Sequence, residues 1–171
     1  MDYFALFGLP CRFAVDREAL DRRYRELQAQ VHPDRHASAT GADRRAAMEA
    51  ATQVNEAYRT LSQPLLRGRY LMSLKGHEVA LENNNAMPPE FLMGQLELRE
   101  DVAEARESGD LDRLDSLRGG LKRGMDAEVA ELGDALDRHD DLARAERILL
   151  QLLFQDKLLH EIDDAIEAIE A

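Results

Sequence analysis

Residues 16–35 read DREALDRRYRELQAQVHPDR, and this stretch decides the fold. Leu20, Tyr24, Leu27 and Val31 recur at i, i+4, i+7 and i+11, the period of one helical face. Asp16 stands where a side-chain oxygen can accept from the first free N–H groups, so the spacing predicts a helix capped by Asp16 and running to about Ala29. Tyr24 falls in the apolar stripe and reads as core, while Arg17, Arg22, Arg23 and Arg25 occupy the other faces. Pro33 ends the helix, because proline lacks the N–H and restricts the residue before it. Ser38, Thr40 and Gly41 continue a loop, after which Ala47, Ala51, Val54, Tyr58 and Leu61 mark one face of a second helix, from about Asp43 to Leu61. Two such stripes are both buried only if the helices pack antiparallel, with residues 32–42 exposed at the tip.

The rest of the chain extends this helical reading. Leu (26) and Ala (24) dominate, against 13 Val, Ile and Thr together, which disfavours a sheet and makes the expected fold class all-α. Before the hairpin, Tyr3 to Phe7 form an apolar turn stopped by Gly8 and Pro10. After it, Leu65 to Leu74 form a further short helix behind Pro64. Gly76 to Pro89, with Asn83-Asn84-Asn85 and Pro88-Pro89, reads as a connector. The expected organisation is therefore an N-terminal domain 1–75, a linker 76–88 and a C-terminal three-helix bundle 89–171. Its helices start at Pro89, at Leu111 and at about Leu142. Gly119, Gly120, Gly124 and Gly133 each weaken the middle one by about 1 kcal/mol relative to Ala, so a bend or break is expected there.

Charge separates the same two parts. The formal net charge of −12 divides into 12 Lys+Arg against 9 Asp+Glu in residues 1–75, or +3, and 10 against 25 in the remainder, or −15. Such an acidic chain is a poor match for nucleic acid or an anionic membrane as main partner. No apolar run approaches the roughly 20 residues of a membrane span, and the Met1-Asp2-Tyr3-Phe4 start is unlike a signal peptide, so a soluble cytoplasmic protein is expected.

Two bundle helices carry an apolar stripe beyond the one a surface helix needs. On the first, Phe91, Leu98, Val102 and Ala105 share a side, while Leu92, Met93 and Leu96 lie nearly opposite among Glu97, Glu100 and Glu104. On the third, Ala145, Leu149, Leu152, Leu159, Ile162 and Ile166 form the main stripe, and Leu150, Phe154 and Leu158 point away from it. The surplus residues either pack against the N-terminal domain, or hold two copies together, or form a partner surface of Met and Phe anchors ringed by carboxylates.

Enzymatic chemistry finds no support. Cys11 is the single cysteine, which excludes an internal disulfide and multi-cysteine metal sites. His32 and His36 are four apart, but Pro33 breaks the helix that would align them, so no metal site is expected. His160 is followed by Glu161-Ile162-Asp163-Asp164 rather than the Lys and Gly usual after a phosphotransfer histidine. Glycine-rich phosphate loops are absent. No catalytic residue and no cofactor are assigned.

His32-Pro33-Asp34 sits on an exposed tip after a basic amphipathic helix and before an antiparallel one, with the opening Tyr3-Phe4-Ala5-Leu6-Phe7-Gly8-Leu9. This arrangement resembles the J-domain of DnaJ-type co-chaperones. The resemblance implies that His32, Pro33 and Asp34, with Arg22, Arg23, Arg25 and Arg35, engage a DnaK-type chaperone and accelerate its ATP hydrolysis. Arg35 stands where lysine is common, in a chain with 19 Arg and 3 Lys. The stretches Asn55-Glu56-Ala57-Tyr58-Arg59-Thr60-Leu61, Pro64-Leu65 with Arg67 and Tyr70-Leu71, and Phe91 to Glu100 are similar to the HscB family, the J-proteins of bacterial iron–sulfur cluster assembly. Membership would imply that the bundle binds the cluster scaffold IscU and delivers it to the chaperone HscA. Scaffold contacts would fall on Leu92, Met93, Leu96, Glu97 and Glu100 in an LMxxLExxE pattern, with Glu104 on the same acidic side. Phe154, followed by Gln155-Asp156-Lys157-Leu158, matches a late aromatic of the family. Two readings from other classes remain open: a structural dimer, with a monomer the expected state otherwise, and a histidine phosphotransfer bundle.

Overall fold

A computed structural model describes residues 1–32, 34, 40–81 and 87–171. Pro33 and Arg35, both assigned to chaperone contact above, lie outside the described residues, as does part of the stretch read as a linker. All described secondary structure is helical, as expected. The chain forms two compact units, Met1–His77 and Glu78–Ala171.

The first unit contains α1 (Tyr3–Leu6), α2 (Arg17–Val31), α3 (Gly41–Ser62) and α4 (Pro64–Leu74). The Asp2 side chain accepts from Ala5 N–H to cap α1. Gly8 ends that turn with φ 65°, a left-handed conformation that favours glycine. Asp16 caps α2 by accepting from Glu18 and Ala19 N–H, as its position predicts. Helix α3 starts two residues before expectation, because Thr40 accepts from Asp43 N–H and serves as the cap. Leu20 and Leu27 of α2 are buried with Ala47, Val54, Ala57 and Leu61 of α3, together with Phe4, Phe7, Phe13, Leu71 and Met72. Arg67 joins three segments. Its guanidinium donates to the carbonyls of Phe13 at 2.6 Å and Leu61 at 2.7 Å. The same group lies over the Phe13 ring.

Tyr24 is half-buried rather than core. Its ring stacks on Tyr58 with centroids 3.9 Å apart, and its hydroxyl reaches the hairpin edge.

The second unit contains α5 (Pro89–Glu107), α6 (Leu111–Gly133), a π-helical turn (Asp134–Arg138) and α7 (Leu142–Glu170). Each of the three α-helices contacts the other two. Within the stretch read as a linker, Val79 and Met87 are buried, and Ala80 N–H donates to Glu146 Oε1 at 3.4 Å.

The glycines do not break α6 at Gly119, Gly120 or Gly124, which corrects the expectation drawn from propensity. Leu114, Leu121, Met125 and Leu132 are all buried, and each such side chain contributes about 1.5–3 kcal/mol, more than a glycine costs. Arg118 also pairs with Asp163 across to α7. Irregularity comes only after Gly133, where the wider π turn lets Leu132, Ala135 and Leu136 all bury.

Helix α7 corrects a second expectation. Leu150 (8 % exposed) and Leu158 (0 %) of its surplus stripe are buried along with the main one. The reason is geometric: α7 packs on both α5 and α6, so one helix needs two apolar arcs.

One polar pair lies in the α6–α7 seam. Buried Gln155 donates from Nε2 to Glu128 Oε1 at 3.1 Å, while Gln155 Oε1 and Glu128 Oε2 are buried with no hydrogen-bond partner. Burial raises the Glu128 pKa; the Gln155 hydrogen bond opposes this, and the Glu131 charge adds to it. A carboxyl whose folded pKa is raised contributes stability below its unfolded value and loses it as pH rises through the folded value. Glu128→Gln keeps the shape and removes the charge, so it is expected to raise the melting temperature at neutral pH. Melting curves should show its advantage over wild type widening as pH rises from about 4.5 through the raised folded value. A constant difference across that range would contradict this.

Candidate functional sites: a helix tip and an apolar row

The first candidate lies at the end of α2. His32 is the C-cap, with an extended backbone of φ -60° and ψ 133°. A following proline imposes that conformation on the residue before it. Asp34 N–H donates to His32 Nδ1 at 3.2 Å, and an Asp34 carboxylate oxygen lies 3.5 Å from the same nitrogen. These uses exclude each other: Nδ1 accepts from the amide only when unprotonated and pairs with the carboxylate only when protonated. The Asp34 side chain is 92 % exposed, which leaves its carboxylate open to a partner cation. Of the three arginines assigned on α2, Arg22 and Arg25 are exposed and form no salt bridge among the described residues, while Arg23 pairs with Glu26 at 3.3 Å. The free cations of α2 therefore lie outward, on a helix whose opposite side is core.

Sequence reasoning missed a hydrogen-bonded ring beside this tip. The Tyr24 hydroxyl donates to Asn55 Oδ1 at 2.6 Å, and Gln28 Nε2 donates to the Tyr24 hydroxyl at 2.7 Å and to Asn55 Oδ1 at 3.3 Å. Polar residues on a helix exterior carry no periodic signal, so nothing in the pattern marks Asn55 as Tyr24's partner.

The second candidate is on α5. Leu92, Met93 and Leu96 are 40 %, 59 % and 55 % exposed, whereas Val102 and Ala105 of the other stripe are buried. Nothing in the second unit covers this row. Glu97 and Glu100 are exposed and form no salt bridge among the described residues, while Glu104 pairs with Arg113 at 3.4 Å, beside the Arg113–Asp101 pair. Phe154 is half-buried on α7, its ring meeting Phe91 edge-on with centroids 6.3 Å apart. That contact brings Phe154 to the first turn of α5, where Leu92 and Met93 begin the exposed row.

Phe154 also lines a concavity with Leu81, Leu150, Leu153, Asp156, Lys157 and His160. The His160 ring bonds through Nδ1 to the Asp156 carbonyl at 2.7 Å. This bond, aided by the Asp156 carboxylate, raises the His160 pKa. The apolar anchors thus have carboxylates on α5, and Lys157 and His160 beside Asp156 on α7. No group of three or more His, Cys, Asp or Glu is arranged to hold a metal among the described residues. No described helix is long and apolar enough to cross a membrane.

Comparison with known proteins assigns both units. Residues 2–70 match the DnaJ domain, so the hairpin with its histidine–aspartate tip belongs to the J-domain co-chaperone class. Residues 87–163 match the family described as the HSCB C-terminal oligomerisation domain. The chain is 47 % identical over 169 residues to a protein of Azoarcus sp. named a co-chaperone protein HscB homolog, covering 99 % of this chain and 96 % of the relative. Among solved structures, the chaperone HscB from Vibrio cholerae superposes with a TM-score of 0.88 at 34 % identity, covering 99 % of both chains. The human co-chaperone HscB superposes at 0.89 with 29 % identity, over 95 % of this chain and 81 % of the other. The chain belongs to the HscB family of co-chaperones.

Proposed function

We propose that this protein is an adaptor. Its J-domain stimulates ATP hydrolysis by an HscA-type member of the DnaK class, and its C-terminal bundle presents an IscU-type iron–sulfur scaffold to that chaperone. The observation that carries the second half is the exposed Leu92, Met93 and Leu96 row, set among Glu97 and Glu100 on a helix already buried along its other side. Exposed aliphatic and Met side chains rimmed by charge suit a partner interface better than bulk water. Phe154 adds the aromatic anchor such interfaces favour, and the carboxylates select a basic partner surface.

At the other end, Asp34 offers a carboxylate to a partner cation, and Arg22 and Arg25 steer α2 onto an acidic surface. The iron–sulfur cluster is cargo of the scaffold and the chemistry of ATP hydrolysis belongs to the chaperone, so this chain works by binding in the cytoplasm without a cofactor of its own. Capture of purified scaffold by immobilised wild type, with loss of capture by the Leu92→Ala/Leu96→Ala/Phe154→Ala variant, is the expected result. Equal capture by both would refute the site.

A second reading is favoured by the same row and by the oligomerisation-domain description of the matching family: two copies join through α5. Sedimentation of the protein alone separates the two. The adaptor reading expects a species near 19.3 kDa with Leu92, Met93 and Leu96 free for the scaffold. A dimer that dissociates on Leu92→Ala supports the second.

A further inference from the structure

Asn55 has one end of its amide occupied and the other unused. Its Oδ1 accepts from the Tyr24 hydroxyl and from Gln28 Nε2, an orientation set together with that of the Gln28 amide as one network. Its Nδ2 is left with two N–H donors and no hydrogen-bond partner among the described residues. Asn55 is exposed, so this donor faces outward.

Its surroundings tie it to the tip. Gln28, Val31, His32, Ala51 and Asn55 line one shallow concavity between α2 and α3. Val31 and Ala51 are half-buried and supply apolar walls, the His32 imidazole forms another side, and Asn55 supplies a fixed donor. The ring of Tyr24, Gln28 and Asn55 locks the side chains one turn before His32, so the donor is preorganised relative to the imidazole.

We infer that Asn55 is a further partner-contact residue of the J-domain: Nδ2 donates to an acceptor oxygen, a main-chain carbonyl or a carboxylate, on the same ATPase chaperone that meets His32 and Asp34. The occupant follows from continuity, since His32 and Asn55 line one concavity and a partner seated on the imidazole covers both. Charge agrees, because the exposed Arg22 and Arg25 favour a partner surface rich in carboxylate acceptors. This inference rests on the chaperone-binding reading of the tip.

Chaperone ATPase, titrated with full-length protein, tests it. Asn55→Asp keeps an acceptor for Tyr24 and Gln28 but replaces the outward donor by oxygen. Its half-maximal concentration is expected to rise about tenfold with unchanged maximal rate. Asn55→Ala removes the donor without adding charge and is expected to show a similar rise. Tyr24→Phe loosens the ring but leaves Nδ2 in place, so its half-maximal concentration should rise less than that of Asn55→Ala.

Melting temperatures of all three variants identify any loss due to unfolding. Wild-type titration by Asn55→Ala overturns the inference, as does a loss seen in Tyr24→Phe and not in Asn55→Asp. Asp34→Asn in the same assay separates the two levels. If it is inactive while the Asn55 variants behave as wild type, only the Asn55 contact fails. If Asp34→Asn stimulates normally, the reading of the tip fails with it.

Discussion

Asp34→Asn and, separately, His32→Gln are expected to abolish stimulation of the chaperone ATPase while leaving scaffold capture at its wild-type level. The Asp34 side chain is 92 % exposed and its carboxylate supports no element of the hairpin, so its replacement leaves the fold intact. What changes is the charge offered to the partner. Losing one member of a hydrogen-bonded charge pair that becomes buried on binding costs about 2–5 kcal/mol, largely because the other charge is left unpaired. A loss of that size lowers affinity by about 30-fold to several thousand-fold, which removes stimulation at concentrations near the wild-type half-maximum. His32→Gln removes the imidazole that borders the concavity with Val31, Ala51 and Asn55. Melting curves should match wild type for both variants, since neither side chain contributes to the core. Normal stimulation by either would remove the chaperone-contact assignment.

Leu92→Ala, Leu96→Ala and Phe154→Ala are expected to weaken scaffold binding by about 1–3 kcal/mol each, and the triple variant to abolish capture while ATPase stimulation by the protein alone persists. The three should differ in their effect on stability. Leu92 and Leu96 are about half exposed, so their truncation removes little buried area and should leave the melting temperature nearly unchanged. Phe154 is half-buried against Phe91, so its truncation loses an α5–α7 contact and should lower the melting temperature as well as the affinity. A titration by calorimetry reads the affinities directly. Wild-type affinity in Leu92→Ala and Leu96→Ala would leave the exposed row without a scaffold role.

Much of this is legible in the residues, and the exceptions have physical causes. Burial of Leu20 and Leu27 in the α2 stripe and the Asp16 cap can be read from spacing because capping and burial act locally and with one period. The opposed rows of α5 are equally plain, since an apolar row among glutamates contrasts with its own helix. A helical wheel gives the angle of a side chain but not the number of neighbours around the helix. For that reason it cannot separate Leu150 and Leu158, which α7 buries, from Leu92 and Leu96, which α5 exposes.

Propensity misleads at Gly119, Gly120 and Gly124, where burial of Leu114, Leu121 and Met125 outweighs the glycine cost. Thr40 does not stand out as the α3 cap because Asp43, acidic and near the start, offers a competing signal. The ring of Tyr24, Gln28 and Asn55 and the Glu128–Gln155 pair join residues 27 to 31 positions apart through polar atoms, and no periodicity encodes such partners.

That one chain must join both partners is tested most directly by mixing variants. Asp34→Asn retains the scaffold surface, and Leu92→Ala/Leu96→Ala/Phe154→Ala retains the J-domain tip. Chaperone ATPase is measured with scaffold present and an equal mixture of the two variants. The expected result is that the mixture gives no more than the triple variant alone, because neither molecule carries the scaffold to the chaperone it activates. Recovery of the wild-type rate by the mixture would contradict an adaptor role.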